Sequence, residues 1–160
     1  MDVTKMILSA FWSFYIILLI SFCLYKKRLH LFEIIFIWMI VWLVTHSVST
    51  IITINLGYLK ISEQPKHFWL HLYNRIILYP LIIVWFIDIQ SRFKYKAKII
   101  IIFSIIILLT LVEHISIWKG VLINKNWNVW YSLIEWIFTF VFVYLSWFWY
   151  RRTLWRKDGL

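Results

Sequence analysis

A chain of 160 residues with 63% hydrophobic, 21% aromatic and only 15% charged residues, and a mean hydropathy of +0.81, is too apolar for a soluble domain; such domains carry about 45–50% apolar and about 25% charged residues. A formal net charge of +10 would suggest nucleic acid in a soluble chain, but the basic residues lie between apolar runs and not on a basic amphipathic helix, so no nucleic-acid partner is expected. The single cysteine, Cys23, excludes an internal disulfide and a four-thiol metal cage and reads as a small buried apolar residue.

A bilayer core of roughly 30 Å needs about 20 apolar residues in a helix. The first such run, Met6 to Tyr25, follows Asp2 and Lys5 and is closed at once by Lys26, Lys27 and Arg28. It is long for a signal peptide, no A-x-A site follows it, and its positive cluster comes after it, so it reads as an uncleaved span. The second run, Leu31 to Ile54, starts with Glu33 beside the basic loop and turns polar at Thr45, His46, Ser47, Ser49, Thr50 and Thr53. Because residues three and four apart are helical neighbours, His46, Ser49, Thr50 and Thr53 share a face, which reads as a packing seam. Asn55 and Gly57 end the run.

The stretch from Asn55 to Trp69 is the longest polar connection, with Gly57 and Pro65 as its turn residues. His67 and His71 stand i and i+4, a metal-ligand spacing if that part is helical, although histidines among aromatics at a membrane interface are more often only interfacial; no metal site is assigned. The third run, Leu72 to Ile89, carries Asn74 and Arg75 near one end, Pro80 in the middle and Asp88 near the other. Pro80 leaves the Ile76 carbonyl without its helical donor, which predicts a kink, and Asp88 with Arg92 predicts an i,i+4 ion pair.

The fourth run, Ile99 to Trp118, is nearly pure isoleucine and leucine up to Thr110, Glu113 and His114. After a connection from Lys119 to Asn128, the fifth, Val129 to Tyr150, is broken only by Ser132, Glu135, Thr139 and Ser146 on one stripe, and Arg151, Arg152, Arg156 and Lys157 follow. The predicted architecture is an all-α integral membrane protein, one domain of five transmembrane helices spanning residues 1–160. Eleven Lys and Arg flank one side of these runs and five the other, which predicts an external N-terminus and a cytoplasmic C-terminus.

In that topology Arg75, Glu113 and Glu135 fall at one depth, within roughly 5 to 9 Å of the external helix ends at about 1.5 Å per residue. Ionisable groups in hydrocarbon pair with one another or line a wet cavity. Arg75, Glu113, His114 and Glu135 are therefore the candidate ligand-binding or ion-pair cluster, with His71 and His46 in reach. A buried network that only fixes helix packing and a binding or transport site are both open readings. Asn128 is placed to cap the fifth helix through its side chain. Trp127, Asn128, Trp130 and Tyr131 would wall a pocket for a cationic or lipid-headgroup ligand.

Glu113, Gly120 and the run Trp127, Asn128, Trp130, Tyr131, Ser132, after the Tyr79-Pro80 helix, resemble an uncharacterised family of small polytopic membrane proteins of spore-forming Gram-positive bacteria. That family shows a glutamate, a glycine turn and a W-N-x-W-[WY]-S pattern, and the likeness covers the back half of the chain. It implies a multi-pass protein of the bacterial plasma membrane and supplies no catalytic residues. The expected role is a non-enzymatic accessory, binding or transport-related protein, with the lipid bilayer and a homo-oligomer or larger membrane complex as partners. The alternative is an intramembrane enzyme using a carboxylate and His114 on a lipid-like substrate, against which stands the lack of a nucleophile motif. Without glycine-rich loops or paired thiols, no cofactor is implied.

Overall fold

The computed structural model describes residues 3–90 and 92–155; the predicted charges Asp2, Arg156 and Lys157 lie outside the described residues. The chain runs α1 (Val3–Leu24), α2 (Leu31–Asn55), β1 (Leu59–Ile61), α3 (Pro65–Gln90), α4 (Tyr95–Trp118), β2 (Leu122–Asn124) and α5 (Val129–Trp155). Four of the helices, α2 to α5, are long and apolar enough to cross a membrane. Their outward faces are apolar as well. Ile100, Phe103, Ile107 and Leu111 of α4 and Ile134, Phe138, Val141 and Leu145 of α5 are exposed at helical spacing, the surface that a protein in lipid presents.

The middle of the bundle is the second half of α3. In its most apolar window 61% is buried, against 28–39% in the other three long helices, and Leu81, Ile83, Val84 and Ile87 are at most 1% exposed. A helix apolar on every side belongs inside a bundle. Trp136, Phe140, Val143 and Trp147 of α5 and Ile37 and Val41 of α2 belong to the same buried core.

Two helices depart from α geometry, each for one turn. α2 widens to a π turn at Ile51–Asn55 and α3 at Asn74–Leu78. In α2 the hydroxyls of Thr45, Thr50 and Thr53 donate to the carbonyls of Val41, His46 and Ser49 at 2.8, 2.9 and 2.7 Å, so the polar face satisfies itself on its own helix and loosens its last turns. His46, expected in that seam, is exposed and stacked on Trp42, while Thr45 and Ser49 are buried. In α3 the π turn directly precedes Pro80, giving room to a ring that would otherwise strike the preceding turn.

The strand pair is the element not foreseen. Gly57 at φ 64° and Gly120 at φ 72° end α2 and α4, with Tyr58 and Val121 donating their amides back to the Ile52 and Ser116 carbonyls at 3.1 and 2.9 Å. The chain leaves both helices in extended form, and β1 pairs antiparallel with β2, Lys60 opposite Ile123. The α2–α3 and α4–α5 connections thus form one lid, sealed underneath by Ile52, Leu59, Leu122 and Trp127.

Helix ends differ from expectation chiefly at four places; α1 begins at Val3, not Met6. α3 begins at Pro65, seven residues before the predicted Leu72, because Pro occupies its first turn and Gln64 turns the chain in. α4 begins at Tyr95, not Ile99, and α5 runs to Trp155, past Tyr150. Cys23 is exposed, not buried.

Candidate functional site

Arg75, Glu113 and Glu135 do meet. They line one small cavity under the strand lid together with Thr45, Ser49, His71, Tyr79 and Trp136. Its open volume is about 10 Å³, room for the centre of about one water molecule. Each wall has a local cause. Arg75 lies in the α3 π turn, from which Nη1 donates to the Thr45 carbonyl of α2. Asn74, beside it, is 1% exposed; it accepts from the Tyr15 hydroxyl of α1 and donates to Ser116 Oγ of α4 at 3.4 Å, so the turn is held from both sides.

Glu113 is 5% exposed and accepts the indole N–H of Trp136 at 2.8 Å. Trp136 is fixed in turn by an edge-on contact with Tyr79, ring centroids 4.7 Å apart. Ser132 and Trp127 lie in polar reach of the same carboxylate. Glu135 makes no hydrogen bond among the described residues. Nor does any carboxylate approach the Arg75 guanidinium within 4 Å among those residues; the ion pairs they form are Lys60–Glu63, Arg92–Asp88 and Arg151–Glu33. Arg75 Nε is buried without a partner. The three charges face a common space and do not close on each other.

Other predicted residues are placed differently. His114 does not line the cavity, and its Nε2 is buried without a partner, so the carboxylate–histidine pair of the enzymatic reading is not assembled. His71 reaches the cavity, whereas His67 Nδ1 pairs with Ser62 Oγ at 3.1 Å, so the i,i+4 histidines serve separate surroundings. Among the described residues no group of three or more His, Cys, Asp or Glu is arranged to hold a metal.

The expected aromatic wall divides. Trp127 is buried and donates to Ser132 Oγ at 2.7 Å, Tyr131 stacks on Tyr58 at 5.9 Å, and Trp130 is 69% exposed at the rim. None of Trp127, Asn128, Trp130 and Tyr131 lines the cavity itself. Asn128 starts α5 with its backbone carbonyl, accepting from Tyr131 and Ser132, and not with its side chain. The side chain that shapes this corner is Asn124, whose amide accepts from Trp127 N at 2.7 Å and donates to Trp127 O at 2.9 Å. An Asn three residues before a tryptophan at a strand end is an Asx-type turn signal that the helical reading passed over.

At the opposite end two carboxylates are buried in a different manner. Asp88, 1% exposed, accepts the amides of Arg28 and Leu29 at 2.6 and 2.8 Å and lies 3.6 Å from Arg92. Arg92 also donates to the Lys26 carbonyl and covers the Tyr25 ring. Glu33, 1% exposed, accepts from its own capping partner His30 N at 2.9 Å and from Trp147 Nε1 at 3.2 Å, with Arg151 3.6 Å away. These residues pin the basic loops to the helix ends.

Compared with family models, with curated proteins and with solved structures, the chain has no match. Function is therefore read from the site.

Proposed function

We propose that this is a multi-pass membrane protein of the binding or transport class, whose Arg75–Glu113–Glu135 cavity holds or passes a proton or a water-sized cation stripped of its hydration shell. The observation that carries this reading is the separation of the three charges. A network built only for packing gains by closing its ion pairs, because an unpaired charge in hydrocarbon costs several kcal/mol. Here the guanidinium and both carboxylates stand around a water-sized space, with Arg75 Nε unpartnered. Two π turns adjoin that space, and such turns are frequent at functional sites.

Five spans in a bacterial plasma membrane, with the strand lid outside and the basic loops in the cytoplasm, form part of the same proposal. It is supported by the helicity of Val3–Leu24 and by the gathering of the loops after α1 and α3 and the end of α5 at one pole, opposite the strands.

The test is ion and proton flux into proteoliposomes, with Glu113→Gln and Glu135→Gln beside the native chain. A loss of flux of tenfold or more in both, with thermal stability kept or raised, is the expected result. Flux in either variant equal to that of the native chain, or no flux at all above empty vesicles together with no cation binding by the purified protein, overturns the proposal.

A further inference from the structure

At the end of the bundle away from the strand lid lies a second and larger cavity, of about 310 Å³, lined by Arg28, Leu29, Gln90, Lys98, Tyr144, Trp147 and Arg151. That is the lower end of the size range of small-molecule sites, about 300–1,000 Å³. We propose that this cavity binds a phosphate-bearing group, taken either from an anionic lipid headgroup or from a soluble phosphate compound.

Three observations carry it. The cations come from three separate elements, Arg28 from the α1–α2 loop, Lys98 from α4 and Arg151 from α5, so the fold and not a local run of sequence brings them together. Among the described residues no carboxylate lines the cavity. Glu33 and Asp88 stand behind its wall and are engaged, Glu33 by His30, Trp147 and Arg151, Asp88 by the Arg28 and Leu29 amides and by Arg92. Arg151 is thereby part neutralised, while Lys98 makes no side-chain hydrogen bond or ion pair among the described residues. Finally, Gln90 is 3% exposed and its Nε2 is buried without a partner at the cavity wall, a neutral donor of the kind that completes an oxyanion's shell.

Ordinary positive-inside charge would leave lysines and arginines spread over the loops, facing water and headgroups. Here they converge on a concavity that also offers an amide donor and the aromatic walls of Tyr144 and Trp147, the form that lipid-phosphate sites between membrane helices take.

The experiment uses the full chain in nanodiscs of phosphatidylcholine. In one arm phosphatidic acid is titrated in and its binding counted by native mass spectrometry; in the other, inorganic pyrophosphate is titrated by calorimetry. Oleate serves as a phosphate-free anion. The expected result is saturable binding of one equivalent in one of the two arms, which tells the lipid source from the soluble one. It should be weakened at least tenfold by Lys98→Gln, restored by Lys98→Arg, and weakened again by Arg28→Gln. Lys98→Gln should melt as the native chain does, so lost binding there is not lost folding. Absence of saturable binding in both arms, unchanged binding in Lys98→Gln and Arg28→Gln, or equal affinity for oleate overturns the proposal.

Discussion

Asp88 and Glu33, at the end of the basic loops, are each 1% exposed, and each is met by two backbone or indole N–H groups and an arginine. Glu113, at the strand end, is 5% exposed and held by the Trp136 indole at 2.8 Å with Ser132 and Trp127 in polar reach, while Glu135 has no hydrogen bond among the described residues and Arg75 keeps a donor free. Both pairs are carboxylates in an apolar bundle, yet each carboxylate of the first has an arginine within 4 Å and neither of the second does. Burial alone therefore does not distinguish the two ends; the nearness of a cation does.

The comparison breaks most easily at Asp88. Replacing it with Ala leaves the Arg28 and Leu29 amides and Arg92 without their acceptor. Hydrogen bonds to a charged group are worth about 1.5–3 kcal/mol each, so Asp88→Ala should cost about 3 kcal/mol or more. In a chain of this size that is a fall in melting temperature on the order of 10 °C in detergent. If Asp88→Ala melts with the native chain, its arginine and amide contacts are not what fastens the loops, and the contrast between the two ends fails.

The strand end should respond in the other direction. Glu113→Gln keeps an acceptor for Trp136 and removes a buried charge, and Glu135→Gln removes one that has no partner, so each should change stability by less than about 1 kcal/mol or raise it. A double-mutant cycle between Arg75 and Glu113 should show a moderate coupling, about 0.5–1.5 kcal/mol, because the two groups face one cavity without touching. Coupling of about 3 kcal/mol or more would mean that the charges close on one another in the membrane and that the cavity is a packing network.

Much of this was legible in the chain. Four long spans follow from apolar runs of sufficient length, and Arg75, Glu113 and Glu135 stood out because an isolated charge inside such a run has to be accounted for. What could not be read was direction. With isoleucine, leucine and aromatics on every face, the helices carry too little amphipathic signal to say which side is inward, and so Cys23 was placed inside and His114 beside Glu113. The strand pair was hidden for another reason. Leu-Lys-Ile and Leu-Ile-Asn are three-residue strands whose pairing depends on a partner about 60 residues away, and only the two glycines before them hinted at the turn. The start of α3 at Pro65 was available, since proline favours a first helical turn, but the polar Lys66 and His67 made that stretch look like loop.

The smallest effect separates surface charge from buried charge. In the lid, Lys60 and Glu63 pair at 2.6 Å with Glu63 82% exposed. The Lys60 ammonium, by hydrogen bond and by charge, holds the Glu63 carboxyl below its ordinary 4.5. A carboxylate whose value is lower in the folded chain adds stability that is fully present above its unfolded value and is lost as pH falls through the folded one. Acidification from pH 6 toward pH 3 should therefore remove this contribution, but for an exposed pair in water the loss is small and fades with salt. The difference between the native chain and Glu63→Gln should be just detectable at pH 6 in low salt and vanish at pH 3 or in about 1 M salt. A difference that persisted in high salt would show that the lid is not open to water around this pair, and that Glu63 belongs with the buried, arginine-paired carboxylates of the opposite end.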